Sequence, residues 1–197
     1  MRSTAVLAAA AAITLFAFCA HADITVKSQD GTIELTLPNG WHELKPDGAT
    51  KILAGDGQGG RVAVRTFSKE DFKDMKALAG FIVTRLKLID NPEQKVEDLE
   101  VNGTPATRLR FVGTEPNGMR RGFVITVLEL GGEYANITAS TKASAFIKDS
   151  PILEAFAKQI VATGPTASSP TTPKPQAPAA ATGPSPTTPK PQAPARH

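Results

Sequence analysis

Residues 101–141 constrain the fold more than any other stretch, because they predict three consecutive strands with a middle strand that is apolar on both faces. The turn signals are Glu115-Pro116-Asn117-Gly118 and Gly131-Gly132. In the middle strand, 122–130, one face carries Phe123, Ile125 and Val127, and the other carries Val124, Leu128 and Leu130. A strand of this kind needs cover on both sides of its sheet.

The rest of the chain predicts further strands and two helices that could supply this cover. Alternation and turn residues predict strands at 24–29, 32–37, 51–54, 61–67 and 96–101. A first helix is predicted from the capping pattern of Ser68 and Asp71, with an apolar stripe formed by Phe72, Met75, Ala79, Ile82, Leu86 and Ile89. A second is predicted to begin at Ser150-Pro151 and to bury Ile152, Leu153, Phe156, Ile160 and Val161.

The first 22 residues are predicted to be a secretory signal peptide. A positive start at Arg2 precedes an apolar run, and Ala20-His21-Ala22 has the small-x-small form of a cleavage site between Ala22 and Asp23. The alternative is lipidation of Cys19, which Phe18 immediately before it disfavours. No segment approaches the ~20 apolar residues of a comfortable transmembrane helix. We therefore expect an exported, periplasmic protein, with a membrane-anchored lipoprotein as the alternative.

The C-terminal segment, 163–197, differs sharply in composition from the rest. It holds 10 of the 16 prolines, and the sequence TTPKPQAPA occurs at 171–179 and again at 187–195. Such a sequence cannot bury a core and is predicted to be a disordered tail that acts as a spacer, with a docking peptide or tether as the sharper alternative. The globular domain is thus expected to span 23–162.

The basic net charge of the whole chain, +3, does not describe this domain. Arg2, Lys174, Lys190 and Arg196 lie outside it, which leaves 18 basic residues against 19 acidic ones. A nucleic-acid-binding domain carries a clear basic excess, so we expect no nucleic-acid partner.

No motif in the chain makes a convincing catalytic or cofactor site. Residues 55–60, GDGQGG, match G-x-G-x-x-G, but a strand rather than a helix is predicted to follow, so a hairpin loop is favoured. His42 has no evident activating partner, and Asp71 and Asp74 read as an acidic helix start. The sequence therefore predicts no cofactor, no metal site and no enzymatic activity.

Four arginines are the candidate binding residues. Arg108 and Arg110 share one face of a strand, and Arg120 and Arg121 begin the partner strand across the turn. We expect the hairpin to bring all four close together, where they could bind an anion or an acidic partner. The alternative is a solvated strand face whose long side chains cover apolar surface.

The order of these elements resembles that of the PsbP-like superfamily, including the DcrB-like periplasmic proteins of bacteria. Three landmarks carry the resemblance: Leu37-Pro38-Asn39-Gly40-Trp41, residues 101–106 (VNGTPA) and residues 134–140 (YANITAS). It covers about 24–162 and implies an α+β fold, an α/β/α sandwich around a central antiparallel sheet of about six strands with two main helices. Members are mostly non-enzymatic: extrinsic photosystem subunits, a Ran-binding import factor and envelope proteins linked to phage uptake.

The first expectation for function is a non-enzymatic periplasmic accessory protein that engages a protein or envelope partner. The second is a small-molecule or anion-binding protein that uses the arginines. A hydrolase built on unrecognised carboxylates ranks well behind both.

Overall fold

The computed structural model describes residues 23–163, which form ten strands and two α-helices. The predicted signal peptide, the Cys19 alternative and the proline-rich repeats lie outside the described residues. The strands are β1 (Ile24–Lys27), β2 (Ile33–Leu37), β3 (His42–Leu44), β4 (Ile52–Gly55), β5 (Arg61–Phe67), β6 (Lys95–Val101), β7 (Thr104–Thr114), β8 (Arg120–Leu130), β9 (Glu133–Lys142) and β10 (Ile160–Ala162). The helices are α1 (Met75–Arg85) and α2 (Phe146–Ala155).

Seven strands make one antiparallel sheet in the order β3-β4-β5-β9-β8-β7-β6, and β1-β2-β10 make a second, smaller sheet. This confirms the predicted α+β class with an antiparallel sheet and two helices. The main sheet has seven strands rather than about six, and the separate three-stranded sheet was not predicted. Neither helix in this part of the chain is both long and apolar enough to cross a membrane.

Strand β8 separates two hydrophobic cores, as its two apolar faces predicted. Phe123, Ile125 and Val127 pack with Leu78 and Ile82 of α1. On the other face, Val124 and Leu128 belong to a larger core that includes α2 and the three-stranded sheet. Each helix therefore covers one face of the main sheet.

The first helix is shorter than its sequence pattern predicted. Ser68 caps only a 3-10 turn at Lys69–Asp71, and Asp74 caps α1 by accepting a hydrogen bond from the amide of Ala77 at 2.8 Å. The helix ends at Arg85, because Lys87 adopts a left-handed conformation with φ 53°. Ile89 thus lies beyond the helix and is exposed instead of buried.

The second helix begins four residues before the predicted Ser150 and contains Pro151 within it. Proline has no amide hydrogen to donate to the carbonyl of Ile147 four residues earlier, but the hydroxyl of Ser150 donates to that carbonyl at 3.3 Å. Leu153 and Phe156 are buried as predicted, whereas Ile152 is exposed. The predicted end of the helix is a separate strand, β10, which pairs with β2 and leaves Val161 exposed.

Gly122 allows α2 to approach the sheet. A Cβ atom built at Gly122 would lie 2.1 Å from Cγ of Phe146, the first residue of α2. Any side chain there must therefore displace the Phe146 ring from the surface of β8.

We predict that Gly122→Ala lowers the free energy of unfolding by about 1–3 kcal/mol, the usual cost of overpacking. Urea unfolding measures it. Gly80→Ala is the matched control, because Gly80 lies in α1 with open space around its Cα. Alanine at that position should raise stability by up to about 1 kcal/mol through its helix propensity. Equal effects of the two substitutions would contradict the steric argument.

The two sheets are also linked by a charged contact near the β1–β2 turn. The Asp30 carboxylate accepts a hydrogen bond from the Lys51 ammonium group just before β4, and others from the hydroxyls of Ser28 and Thr32. These hydrogen bonds, with the Lys51 contact the largest, hold the pKa of Asp30 well below its usual value of 3.8.

A carboxyl group with a lowered pKa stabilises the fold above its unfolded pKa and loses this contribution as the pH falls towards its folded pKa. We therefore predict that Asp30→Asn reduces the loss of stability on acidification below about pH 4, relative to the parent chain. Thermal unfolding at pH 7, 4 and 2.5 measures this. Parallel curves for the two proteins would show that the Asp30 contact adds no pH-dependent stability.

Candidate functional site

Arg108 and Arg110 lie on the α2 side of β7, where both bind carboxylates. Nη1 of Arg108 lies 2.9 Å from Oε2 of Glu154, and Nη1 of Arg110 lies 3.1 Å from Oε1 of the same group. Nη2 of Arg110 also contacts Glu97 at 2.5 Å. The pKa of Glu97 is lowered, chiefly by its hydrogen bond to Lys95 and also by the charge of Arg110. Glu154 of α2 thus joins the helix to β7, the strand next to the edge strand β6.

The other two predicted arginines lie further along the hairpin. Arg120 pairs with Thr114 and Arg121 with Gly113, whereas Arg110 pairs with Val124. At about 3.4 Å per residue, three or four strand positions separate them from Arg110 by roughly 10–14 Å. Arg120 is exposed. Because neighbouring residues of a strand point to opposite faces, Arg121 lies on the face of β8 opposite to Arg120. The expected single cluster of four arginines is therefore not formed. Any binding role of these residues stays a prediction.

Arg121 is buried and connects a loop to the sheet. Its Nη2 donates hydrogen bonds to the Gly59 carbonyl at 2.5 Å and to the Ser140 hydroxyl at 3.0 Å. Its Nε lies 3.8 Å from Glu115. Burial lowers the pKa of this guanidinium group, while the nearby Glu115 carboxylate opposes the shift. These contacts fix the glycine-rich loop against β8 and β9.

The glycine-rich loop, 56–60, connects β4 to β5 and is closed by its own aspartate. Oδ1 of Asp56 accepts hydrogen bonds from the amides of Gln58 and Gly60, both at 2.7 Å. Strand β5 follows directly, so the loop has the hairpin context that its sequence predicted.

Beside this loop, a cavity of about 490 Å³ opens between α2 and the end of β9. Its inner wall is Trp41, which is buried and packs edge-on against Phe156 with ring centroids 4.7 Å apart. The lining residues used below are Trp41, Asp56, Lys142, Lys148, Asp149 and Ile152.

The charged groups of this cavity differ in how far they are already engaged. Asp56 closes the glycine-rich loop, and Asp149 accepts a hydrogen bond from the Thr141 hydroxyl at 2.9 Å. Lys142 and Lys148 are exposed, and neither forms an ion pair with another residue in 23–163. The cavity therefore presents two available cations beside an aromatic and aliphatic wall.

The outward face of α2 continues this surface and is mostly apolar. Ile147 is 91 % exposed and Ile152 is 46 % exposed. Together with Pro151 and Lys148 they follow helical spacing and form one stripe, called the α2 surface below. Ile152 borders the cavity beside Trp41, and Ile147 borders a second cavity of about 420 Å³ that also contacts Lys95 and Arg110.

The α2 surface was not found from the sequence pattern, because the predicted helix began at Ser150 and Ile152 was placed on its buried face. With Phe146 as the first helical residue, Phe146, Leu153 and Phe156 fall on the side that faces the sheet. Ile147, Pro151 and Ile152 then fall on the opposite side. A signal for the earlier start of the helix was present in the sequence, because Phe146-Ile147 is an apolar pair about one helical turn before Pro151.

The other residues considered as catalytic or metal-binding candidates are a surface histidine and two aspartates at the start of α1. His42 is an exposed residue at the start of β3. Asp74 caps α1, and Asp71 ends the preceding 3-10 turn. Within 23–163, no group of three or more histidine, cysteine or acidic side chains is arranged to hold a metal ion.

No protein-family profile matches the chain, and no curated protein matches it by sequence. Solved structures do share its fold. CyanoP, the PsbP of Synechocystis sp. PCC 6803, aligns with a TM-score of 0.54 and 13 % identity over 71 % of this chain and 92 % of its own. LpqN of Mycobacterium tuberculosis, described as involved in cell envelope biogenesis, aligns with a TM-score of 0.50 and 13 % identity over 73 % and 91 %.

A third solved structure, from Bacteroides thetaiotaomicron, aligns with a TM-score of 0.50 and 10 % identity over 71 % of this chain, which spans 48 % of that protein. The chain thus has a PsbP-like fold, as the sequence landmarks indicated. These identities are low enough that the likeness concerns the fold alone. The more specific resemblance to DcrB-like proteins stays a prediction.

We predict that Glu154→Ala lowers the free energy of unfolding by about 2–3 kcal/mol, because it leaves the buried Arg108 without its charged partner. Chemical denaturation measures this. The matched control is Glu34→Ala, which removes the partner of the exposed Lys27 and should cost at most about 1 kcal/mol. The double variant Arg108→Met/Glu154→Leu should recover most of the loss. If it is as unstable as Glu154→Ala, an unpaired Arg108 is not the cause.

Proposed function

We propose that this chain is a non-enzymatic accessory protein of the bacterial cell envelope that binds a protein partner through the α2 surface. The observation that carries the proposal is the exposed apolar stripe of Ile147, Pro151 and Ile152 beside two cavities. Contiguous apolar groups rimmed by polar ones commonly mark interaction sites.

The composition of this surface suits a partner with an apolar anchor and acidic neighbours. Fully burying an isoleucine side chain stabilises a complex by about 1.5–3 kcal/mol before the costs of association. A residue that inserts into the cavity would meet Trp41 and Ile152, while Lys142 and Lys148 could pair with carboxylates at its rim. Such a central apolar contact with a charged rim is the common arrangement of binding energy in protein interfaces.

The proposed location rests on the N-terminal sequence. The signal-peptide pattern of 1–22 predicts export and cleavage between Ala22 and Asp23, and this supports a periplasmic location. A lipid anchor at Cys19 is the alternative. The envelope role described for LpqN, which shares the fold, is compatible with this location.

The alternative function is the binding of a small molecule or anion by the predicted arginines. For Arg108 and Arg110 this requires a ligand to compete with Glu154, because both guanidinium groups already contact its carboxylate. Under this alternative, Arg108→Ala and Arg110→Ala abolish ligand binding.

The test is site-specific photocrosslinking in the bacterium that makes the protein. A photoreactive residue replaces Ile147 in the full chain, and the matched control carries it at Ile89, an isoleucine that is 67 % exposed and follows α1 on the other side of the sheet. We expect one dominant envelope protein to be captured at position 147 and not at position 89. The additional substitution Ile152→Asp should reduce this capture at least fivefold.

Two results would overturn the proposal: the same set of proteins captured at both positions, or capture at 147 that survives Ile152→Asp. A chain that ends at Ala162 separates the role of the tail. If the domain suffices, the shortened chain is crosslinked to the same partner. If the partner is lost, the function lies in the proline-rich repeat instead of the α2 surface.

A further inference from the structure

A groove beside α1 lies on the opposite side of the main sheet from the α2 surface. The groove has a volume of about 470 Å³, which is within the usual range of small-molecule sites. Residues of α1 form one wall, the loop 47–49 forms the other, and the end of β5 forms the floor. The residues that carry the argument are Arg65, Phe67, Phe81, Ile82, Arg85 and Leu86.

The apolar part of this groove includes an aromatic group that the core does not enclose. Phe81 is 40 % exposed although its ring contacts Phe67 and Phe72, with centroids 6.4 and 5.3 Å apart. Ile82 and Leu86 extend the apolar wall along α1. Solvent thus reaches the aromatic cluster at the margin of this core, while the core residues beneath it stay buried.

Two arginines lie at this apolar wall, and neither is neutralised within 23–163. The guanidinium carbon of Arg85 lies 5.7 Å from the centroid of Phe81, an arrangement that holds the cation over the ring. Arg65 projects from the floor strand, and neither arginine forms an ion pair with a described residue. The only acidic lining residue is Asp47, whose Oδ1 accepts a hydrogen bond from the Thr50 hydroxyl. The groove therefore has a net positive charge.

An unsatisfied donor lies next to Arg65 in the floor of the sheet. Asn136 of β9 is directly opposite Arg65 and is completely buried. Its Oδ1 accepts a hydrogen bond from Thr138, but its Nδ2 has no acceptor among residues 23–163. The buried position next to Arg65 is therefore incompletely hydrogen-bonded, although Asn136 itself does not line the groove.

We propose that this groove binds a single-chain carboxylate amphiphile, with the chain against Phe67, Phe81 and Leu86 and the carboxylate between Arg65 and Arg85. An acyl chain fits better than an extended peptide because β5 is already paired with β4 and β9 on its two sides. A peptide would find no free strand edge for its backbone groups, which would then be buried unpaired against apolar side chains. This site is separate from the α2 surface and does not depend on it.

The test is calorimetric titration of the full mature chain with sodium myristate below its micelle concentration. We expect saturable binding to one site. Arg65→Gln and Arg85→Gln should each weaken binding at least tenfold. The matched control is Arg61→Gln, an exposed arginine at the start of the same strand as Arg65 that does not line the groove, and it should leave binding unchanged. Myristyl alcohol, which has the chain without the charge, should bind at least tenfold more weakly. Unfolding curves for each variant confirm that the fold is retained.

Amide shifts in the NMR spectrum locate the ligand. Perturbation at Phe81 and Arg85 supports the proposal, and perturbation confined to Ile147 and Ile152 overturns it. It is also overturned if the parent chain binds no myristate, if the two arginine variants bind like the parent, or if the alcohol binds as tightly as the acid. A short apolar peptide with a free C-terminal carboxylate is the competing ligand. If it binds more tightly than myristate and displaces it, the proposal is overturned, because the occupant of the groove is then a peptide and not an acyl chain.

Discussion

Strand β8 is apolar on both faces, and most of the remaining structure packs against one of these faces or the other. Its alternate residues enter two different cores, one closed by α1 and the other by α2 with the three-stranded sheet. A half-buried sheet could have left one face to solvent, but the valine, isoleucine and phenylalanine side chains of β8 make that costly. The two helices are therefore stabilised by tertiary burial more than by their own propensities.

The two helices are held against the main sheet by different interactions. Helix α1 is held by apolar packing and by the aspartate cap at its start. Helix α2 has no side-chain cap and contains a proline, yet it is fixed by the Phe146 ring on Gly122 and by the contacts of Glu154 with two arginines. Charged residues that suggested a ligand site thus contribute to the attachment of a helix. A cavity or groove remains beside each helix. The one beside α2 has an apolar wall with lysines at its rim, and the one beside α1 has an aromatic wall with arginines at its rim.

The central meander of the main sheet, β7 to β9, could be predicted from the sequence because its signals are local, whereas strand β3 and the long-range pairing of β5 with β9 were not predicted. The turns at 115–118 and 131–132, and the alternation around Phe123, determine both the pairing and the faces of the central strands. The ends of the helices could not be predicted in this way. The cap of α1 is Asp74 and not Ser68. Pro151 was expected to begin the second helix but lies inside it, where the Ser150 hydroxyl donates to the carbonyl that has no amide partner from Pro151. The partners of Arg108 and Arg121 are up to 62 residues away in sequence, and no local pattern reveals such contacts.

The small sheet has a mechanical consequence. Strands β1 and β10 both pair antiparallel with β2, and Ile24 lies at the Leu37 end while Ala162 lies at the Ile33 end. A pull that separates Ile24 from Ala162 therefore acts along the strands, and it loads the hydrogen bonds on both sides of β2 together instead of opening them one after another. Shear of this kind resists tension far better than peeling. Because Val26, Leu35 and Ile160 of these strands belong to the larger core, sliding the strands past one another would also have to disrupt that packing.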